Sequence, residues 1–364
     1  VNDYGIKNAF DTNDSTFLNS LIHLDSIGCK NIIYLIHNED SFVNPEDIAW
    51  QRIPTGSDSI EVFTYLDSFL LSAGPYIDYI QINQEPLGIT HYDTSKYSVE
   101  EIFDWWRLLA NFIRSKQAQH FSLLWHIKIV SPSISSMIPS PQIEPIIDSM
   151  IAFGEDYCDV ISLHIYPGTV EEGKQTIDYY RSKTSHPLAC SEFSQANAGQ
   201  QTGWLYATNT VWTSSGHPFY GLSNYEVIDS AYSTPMDTSE WKAFIATAPH
   251  TANFIPELYA YMDSSCFEYV CYAGMWQYGD PNFDWSAIVA NKCVSHYPFP
   301  NNPFFEEFTT LTSQINSGAY ISNCQNTDVN RQNMSNNVYV FPNPANKHIR
   351  IEVNDIALEH WDLK

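Results

Sequence analysis

The sequence predicts an α/β protein of the (β/α)8 TIM-barrel class. Short apolar runs alternate with amphipathic helical stretches along most of the chain, and several runs end in polar residues. Strand followed by helix, repeated, implies parallel strands joined by crossover helices. Strands are predicted at residues 4–7, 31–36, 79–83, 122–130, 160–166, 188–191 and 267–276, with helices at 15–26, 60–72, 99–116, 141–153, 171–183, 239–262 and 302–315. An N-terminus that starts almost inside a strand places the first of eight barrel strands upstream of Val1. A doubly wound open sheet is disfavoured, because no glycine-rich phosphate loop follows the first strands.

Within the run 79–83 and just beyond it, Gln81, Asn83 and Glu85 share one face and Ile80 and Ile82 the other. The apolar face suits overlying helices and the polar face a pocket. The run 160–166 repeats the pattern: Ser162, His164 and Tyr166 alternate with Ile161, Leu163 and Ile165. The run at 188 leads into Glu192. Residues 196–235, rich in Gly, Ser, Thr, Tyr and Trp, read as a substrate-facing loop at the catalytic end.

After Ser317 the composition shifts to Asn, Ser, Gln and Asp, which defines a barrel over residues 1–316 and a linker over 317–337. Residues 338–364 open with VYVFPNPANKHIRIEV, an alternating, Pro-punctuated pattern that reads as the start of a β-sandwich. So short a segment cannot bury a core alone, and the module is expected to be incomplete.

Lys and Arg number 17 against 42 Asp and Glu, a net charge of −25 that disfavours nucleic acid and anionic membrane as partners. No apolar run reaches the length of a transmembrane helix. Aromatic residues make up 15% of the chain, with 23 Tyr and 10 Trp, and such faces stack on sugar rings. The seven cysteines form no CxxC pair and no zinc-like spacing with His, so no metal is expected. Cys158 and Cys190 read as buried hydrophobes, whereas Cys266, Cys271 and Cys293 are candidates for a disulfide of open connectivity.

Glu85 and Glu192 carry the chemistry. About three β/α steps of roughly 35 residues separate them, which puts them on facing strands four and seven of a barrel. Two carboxylates at strand ends are what glycosidic cleavage needs, one as proton donor and one as nucleophile. Tyr166 can hold Glu192 ionised through a hydrogen bond to the charged form, and His164 can position substrate or a carboxylate. Trp276, near the end of the last strand, can floor a sugar site.

QINQEP, SLHIYPG and ACSEFS, in this order and spacing, resemble the strand-four, strand-six and strand-seven motifs of clan A glycoside hydrolases over residues 1–316. The resemblance implies a retaining enzyme with Glu85 as acid/base, Glu192 as nucleophile, Tyr166 and His164 as their supports, Trp276 as the last-strand aromatic, and no cofactor. Two positions depart from the pattern. The family usually has Asn immediately before the acid/base, where this chain has Gln84 preceded by Asn83; the same amide is available. Lys7 and Asn8 stand where the family has a strand-two Arg.

VYVFPNPANKHIRIEV similarly resembles the start of the C-terminal sorting domain of type IX secretion. That implies the secretion machinery as a partner and a secreted or outer-surface location.

The expected function is therefore hydrolysis of a neutral β-linked polysaccharide or oligosaccharide through a glycosyl-enzyme. The alternative is an inactive barrel that binds carbohydrate at the cell surface, motivated by the two departures. A Ser/His hydrolase ranks below both, since no GxSxG elbow occurs. Sugar, linkage and endo or exo action depend on loops and stay open at this stage.

Overall fold

A computed structural model of the chain describes residues 16–35, 53–83, 97–135, 138–195, 203–233, 238–247, 252–272, 303–322, 324, 339–343, 348–353, 356–357 and 361–362. The predicted strand at 4–7, and Lys7, Asn8, Gln84, Glu85, Trp276 and Cys293, lie outside the described residues.

Helix and strand alternate through the main body: α1 Thr16–Ser26, β1 Ile32–Tyr34, α2 Ser57–Ala73, β2 Tyr79–Gln81, α3 Val99–Gln119, α4 Phe121–Leu124, β3 Lys128–Val130, α5 Glu144–Tyr157, β4 Ile161–Ile165, α6 Val170–Lys183 and β5 Leu188–Phe193. There follow α7 Asn224–Ser233, α8 Thr238–Ile245, α9 Phe254–Ser264, β6 Val270–Tyr272 and α10 Pro303–Asn316. No helix among the described residues is long and apolar enough to cross a membrane.

Local sequence explains several boundaries. Ser98 and Glu101 form a reciprocal capping box that starts α3. From there Ile102, Phe103, Trp106, Leu109, Ala110 and Ile113 recur at helical spacing on the buried face. Thr169 caps α6, and Arg181 and Lys183 in its last turn oppose the helix dipole.

Three predictions need correction. The strand at 122–130 shrinks to β3, because residues 121–124 close a helical turn; Gln117 Nε2 donates to the carbonyls of Leu124 and Ile127 after it. The helix predicted at 239–262 is two helices. Asn253 takes a left-handed backbone angle of φ 62° just before α9 and so interrupts the helical run. The segment 196–235 is not all loop, since it contains a 3-10 turn at Trp204–Tyr206 and α7, started by a Ser223/Glu226 capping pair.

β1, β2 and β3 pair in parallel, as do β4, β5 and β6. Parallel bridges Val130↔Val160 and Ile134↔Leu163 join the two groups, so six strands run side by side in sequence order. The large outer core lies between this sheet and its helices: Ile33, Ile80, Ile129, Ile161 and Leu163 meet Phe69, Trp106, Ile113, Phe153 and Ile177. A second, small cluster lies on the other side and gathers Ile32, Tyr79, Val130, Val160, Ala189 and Tyr269. Each of the six strands, or the residue leading into it, supplies one member. The Tyr79 hydroxyl also donates to Glu268 (3.0 Å), and its ring packs edge-on to Tyr269 at 4.9 Å. Side chains from the second and sixth strands can meet only if the sheet curls strongly, as strands do around a barrel axis.

Helix α5 approaches β4 closely at Gly154, where an added Cβ would lie 2.5 Å from Ile161 Cγ1. Gly154→Ala must push α5 off β4, and a loss of about 1–3 kcal/mol is expected, read as a lowered denaturant midpoint at unchanged m.

Residues 317–322 and 324 are fastened to the body. Ser322 Oγ and the Tyr320 hydroxyl bond the Asp263 carboxylate, and Cys324 forms a disulfide with Cys266. Cys324 was not among the predicted disulfide candidates, because it lies far along the chain in a polar stretch that reads as linker. At the C-terminal end, β7 Tyr339–Asn343, β8 His348–Val353, β9 Ile356–Ala357 and β10 Trp361–Asp362 form an antiparallel sheet in the order β10-β8-β7, with β9 also pairing β8.

Candidate functional site

The interior of the curled sheet changes character along the strands. Its lower layer is the cluster around Val130, Val160 and Ala189. Toward the carboxyl ends the buried residues become polar: Gln81, Asn83, Ser131, Ser133, Ser162, His164 and Ser191. Buried polar groups are costly unless bonded, and these form a network. Gln81 Nε2 donates to Asn83 O (2.8 Å) and Ser133 Oγ (3.2 Å), Ser131 Oγ accepts from the Ser162 amide (3.0 Å), and the Ser162 and Ser191 hydroxyls share a 2.6 Å bond.

Glu192 stands at this polar end, with its side chain 15% exposed. A register shift brings it there. Leu163 pairs with Cys190 but His164 pairs with Glu192, so Ser191 is the extra residue of a β-bulge. Such a bulge re-aims the side chain that follows it. Ser191 therefore bonds Ser162 inside the sheet while Glu192, the next residue, faces inward beside His164. Simple alternation would have turned one of the two outward.

The structure brings three of the predicted site residues together. The Tyr166 hydroxyl donates to Glu192 Oε2. His164, fully buried, places Nδ1 3.8 Å from the same oxygen, too long for a direct hydrogen bond, and stands edge-on to the Tyr166 ring at 6.0 Å. Asn83 is buried just past β2, two residues before Glu85. Tyr166→Phe leaves the ring and removes the donor to Glu192; a loss of about 0.5–1.5 kcal/mol is expected, checked by denaturant unfolding beside the wild type.

Two further residues were missed by sequence reasoning. Tyr34 ends β1 in register with Gln81. Burial first, and after it the neighbouring Cys271, Glu192 and Cys190, pushes its hydroxyl well above the usual phenol range. Cys271 lies two residues beyond Tyr269, and burial followed by Glu192 pushes its thiol up to about 12. The signal for Tyr34 was present: Ile32 and Tyr34 alternate with Ile33 and Leu35. Among the described residues no cluster of His, Cys, Asp and Glu is suited to hold a metal ion.

The geometry thus presents one carboxylate, held by a phenol and flanked by an imidazole, at the polar end of the sheet interior, beyond the apolar cluster. Comparison with known proteins gives distant likenesses alone. No family model matches the chain, and no curated protein does. Solved structures of similar shape include the GH53 catalytic domain of Ignisphaera aggregans, at 15% identity and TM-score 0.41 over 71% of this chain and 67% of that one. The GH30 endoxylanase of Clostridium papyrosolvens C71 matches at 13% identity and TM-score 0.34, over 75% of this chain and 56% of that one. A GH128 (subgroup VII) oligosaccharide-binding protein from Trichoderma gamsii matches at 12% and 0.37, over 80% and 91%. These neighbours are glycoside hydrolase folds; at such distances they carry no argument about substrate or mechanism.

Proposed function

We propose that this chain is a retaining glycosidase built on a (β/α)8 barrel, hydrolysing neutral β-linked glycans with Glu192 as nucleophile and Glu85 as acid/base. One observation carries the reading: the bulge at Ser191 turns Glu192 into the polar mouth of the sheet, where the Tyr166 hydroxyl holds it. A phenol donating to one carboxylate oxygen fixes the orientation of the group, which a nucleophile aimed at a sugar carbon needs. The acid/base role of Glu85 is assigned from the sequence, where it shares a strand face with Gln81 and Asn83, both of which are buried. In this reading Glu85 protonates the leaving oxygen as Glu192 forms a glycosyl-enzyme, then activates water to release the sugar. That chemistry calls for carboxyl groups about 5 to 5.5 Å apart.

The domain reading follows: a catalytic barrel from residue 1 to 316 extended by the fastened stretch that ends at Cys324, a linker to 337, and a C-terminal sorting module over 338–364 that engages type IX secretion. Export to the medium or the outer surface is supported by the Cys266–Cys324 disulfide, since such bonds persist in oxidising compartments. The test is release of reducing sugar from a panel of neutral β-glucans, xylans, mannans and galactans. Turnover on at least one is expected; glycan binding without turnover on any would instead identify an inactive carbohydrate-binding barrel, the reading that Gln84 and the missing strand-two Arg favour.

A further inference from the structure

Two irregularities flank β4. On the β5 side, Leu163 pairs with Cys190 and His164 with Glu192, which leaves Ser191 as an extra residue. On the β3 side, parallel bridges join Val130 to Val160 and Ile134 to Leu163. The stretch 130–134 therefore runs beside the shorter stretch 160–163, and one residue among Ser131, Pro132 and Ser133 is extra as well. Pro132 has no backbone donor to give a ladder, and such a break is where a buried strand tolerates one.

Ser162 joins the two. Its amide donates to the Ser131 hydroxyl (3.0 Å), its carbonyl accepts from the Ile134 amide (2.9 Å), and its hydroxyl shares the 2.6 Å bond with Ser191. A regular ladder takes a strand amide to a backbone carbonyl; here a side chain takes it, where the neighbouring strand carries its extra residue. Ser131 Oγ in turn donates to the Pro132 carbonyl (3.0 Å), so the three buried serines form one chain of hydrogen bonds from the end of β3 through β4 to β5. Cys190 closes the far side of the β5 bulge, its thiol donating to the Glu192 carbonyl at 3.2 Å. Beyond the bulges, Ser133 accepts from Gln81 Nε2 and Glu192 meets the Tyr166 hydroxyl.

We propose that Ser162 is a positioning residue for the Glu192 carboxylate: its hydroxyl, bonded to that of Ser191, holds the β5 bulge in place and so fixes the aim of Glu192 beside Tyr166 and His164. The inference rests on the glycosidase reading for its kinetic consequence but not for its structural one. A buried hydroxyl is costly unless paired, so removing the Ser162 hydroxyl leaves that of Ser191 unsatisfied and favours a backbone that releases it. A slip of β5 by one residue restores regular pairing, and it reverses the faces of the side chains that follow.

The experiment pairs crystal structures of the wild type and Ser162→Ala with kcat and KM on the most active glycan of the panel, beside a thermal melt that shows both proteins folded. In Ser162→Ala the register shift at Ser191 is expected to move or vanish and the bond between Tyr166 and Glu192 to break. With the reacting group misplaced, kcat should fall about 10²-fold while KM stays within about twofold. Ser162→Thr, which keeps the hydroxyl, should retain the bond and most of kcat. A serine that only fills space would change stability in both variants and leave the carboxylate and kcat in place. Glu192 still bonded to Tyr166 in Ser162→Ala, or a displaced carboxylate with unchanged kcat, overturns the proposal; turnover by the wild type then leaves the glycosidase reading standing. A displaced carboxylate in a protein that turns over no glycan keeps the positioning role and removes the glycosidase reading. Should Ser162→Ala not fold, Ser191→Ala breaks the same bond from the other side and is judged by the same outcomes.

Discussion

Glu192→Gln is expected to lower kcat by at least about 10³-fold while leaving glycan affinity within a few-fold of the wild type. The amide keeps the size of the side chain and can still pair with the Tyr166 hydroxyl, so that contact is preserved. What disappears, in the proposed mechanism, is the negative oxygen that would attack the sugar carbon, and a covalent route has no substitute for its nucleophile. Kinetics on the most active glycan of the panel, beside calorimetric binding, check both halves. A fall in kcat with unchanged affinity separates lost chemistry from lost structure. Parallel loss of both would indicate that Glu192 supports the fold of the polar layer instead.

Breaking the Cys266–Cys324 disulfide should have the largest effect on stability. The bond closes a loop spanning a sequence separation of 58 residues, and it fastens the stretch after α10 to the segment that leads into β6. Removing that constraint from the unfolded chain costs about 2–4 kcal/mol. The Asp263 bonds to Ser322 and Tyr320 anchor the same stretch and should lose order with it. Cys266→Ser with Cys324→Ser, measured by denaturant unfolding against the oxidised wild type, should show the full loss. The wild type in reductant should match the double variant, and reductant should not change the double variant further.

Much of this architecture is legible in the residues. The apolar sides of the strands read correctly because Ile80 and Ile82, or Ile161, Leu163 and Ile165, leave few alternatives for facing helices. The helix predicted from residue 99 does begin there, where the Ser98/Glu101 capping box starts it. What was not legible depends on distant partners. Ser191 carries no Gly or Pro to mark a bulge; its position follows from the hydroxyl it meets on Ser162, a neighbouring strand away. Tyr34 sits in an ordinary apolar run, IIYL, and its position beside Gln81 emerges only from the parallel register of β1 on β2. Of the disulfide, Cys266 was legible as a candidate, whereas its partner Cys324 lies in a polar stretch with no strand or helix to announce it.

The central claim is that Glu192 attacks the sugar, and covalent trapping tests it most directly. The wild type would be incubated with a 2-deoxy-2-fluoro β-glycoside of the sugar released from the panel, bearing an activated leaving group, and its intact and peptide masses recorded. A mass gain of one glycosyl unit, located on the peptide that carries Glu192, is the predicted result. Turnover of glycan with no label, or with the label on another residue, would contradict it.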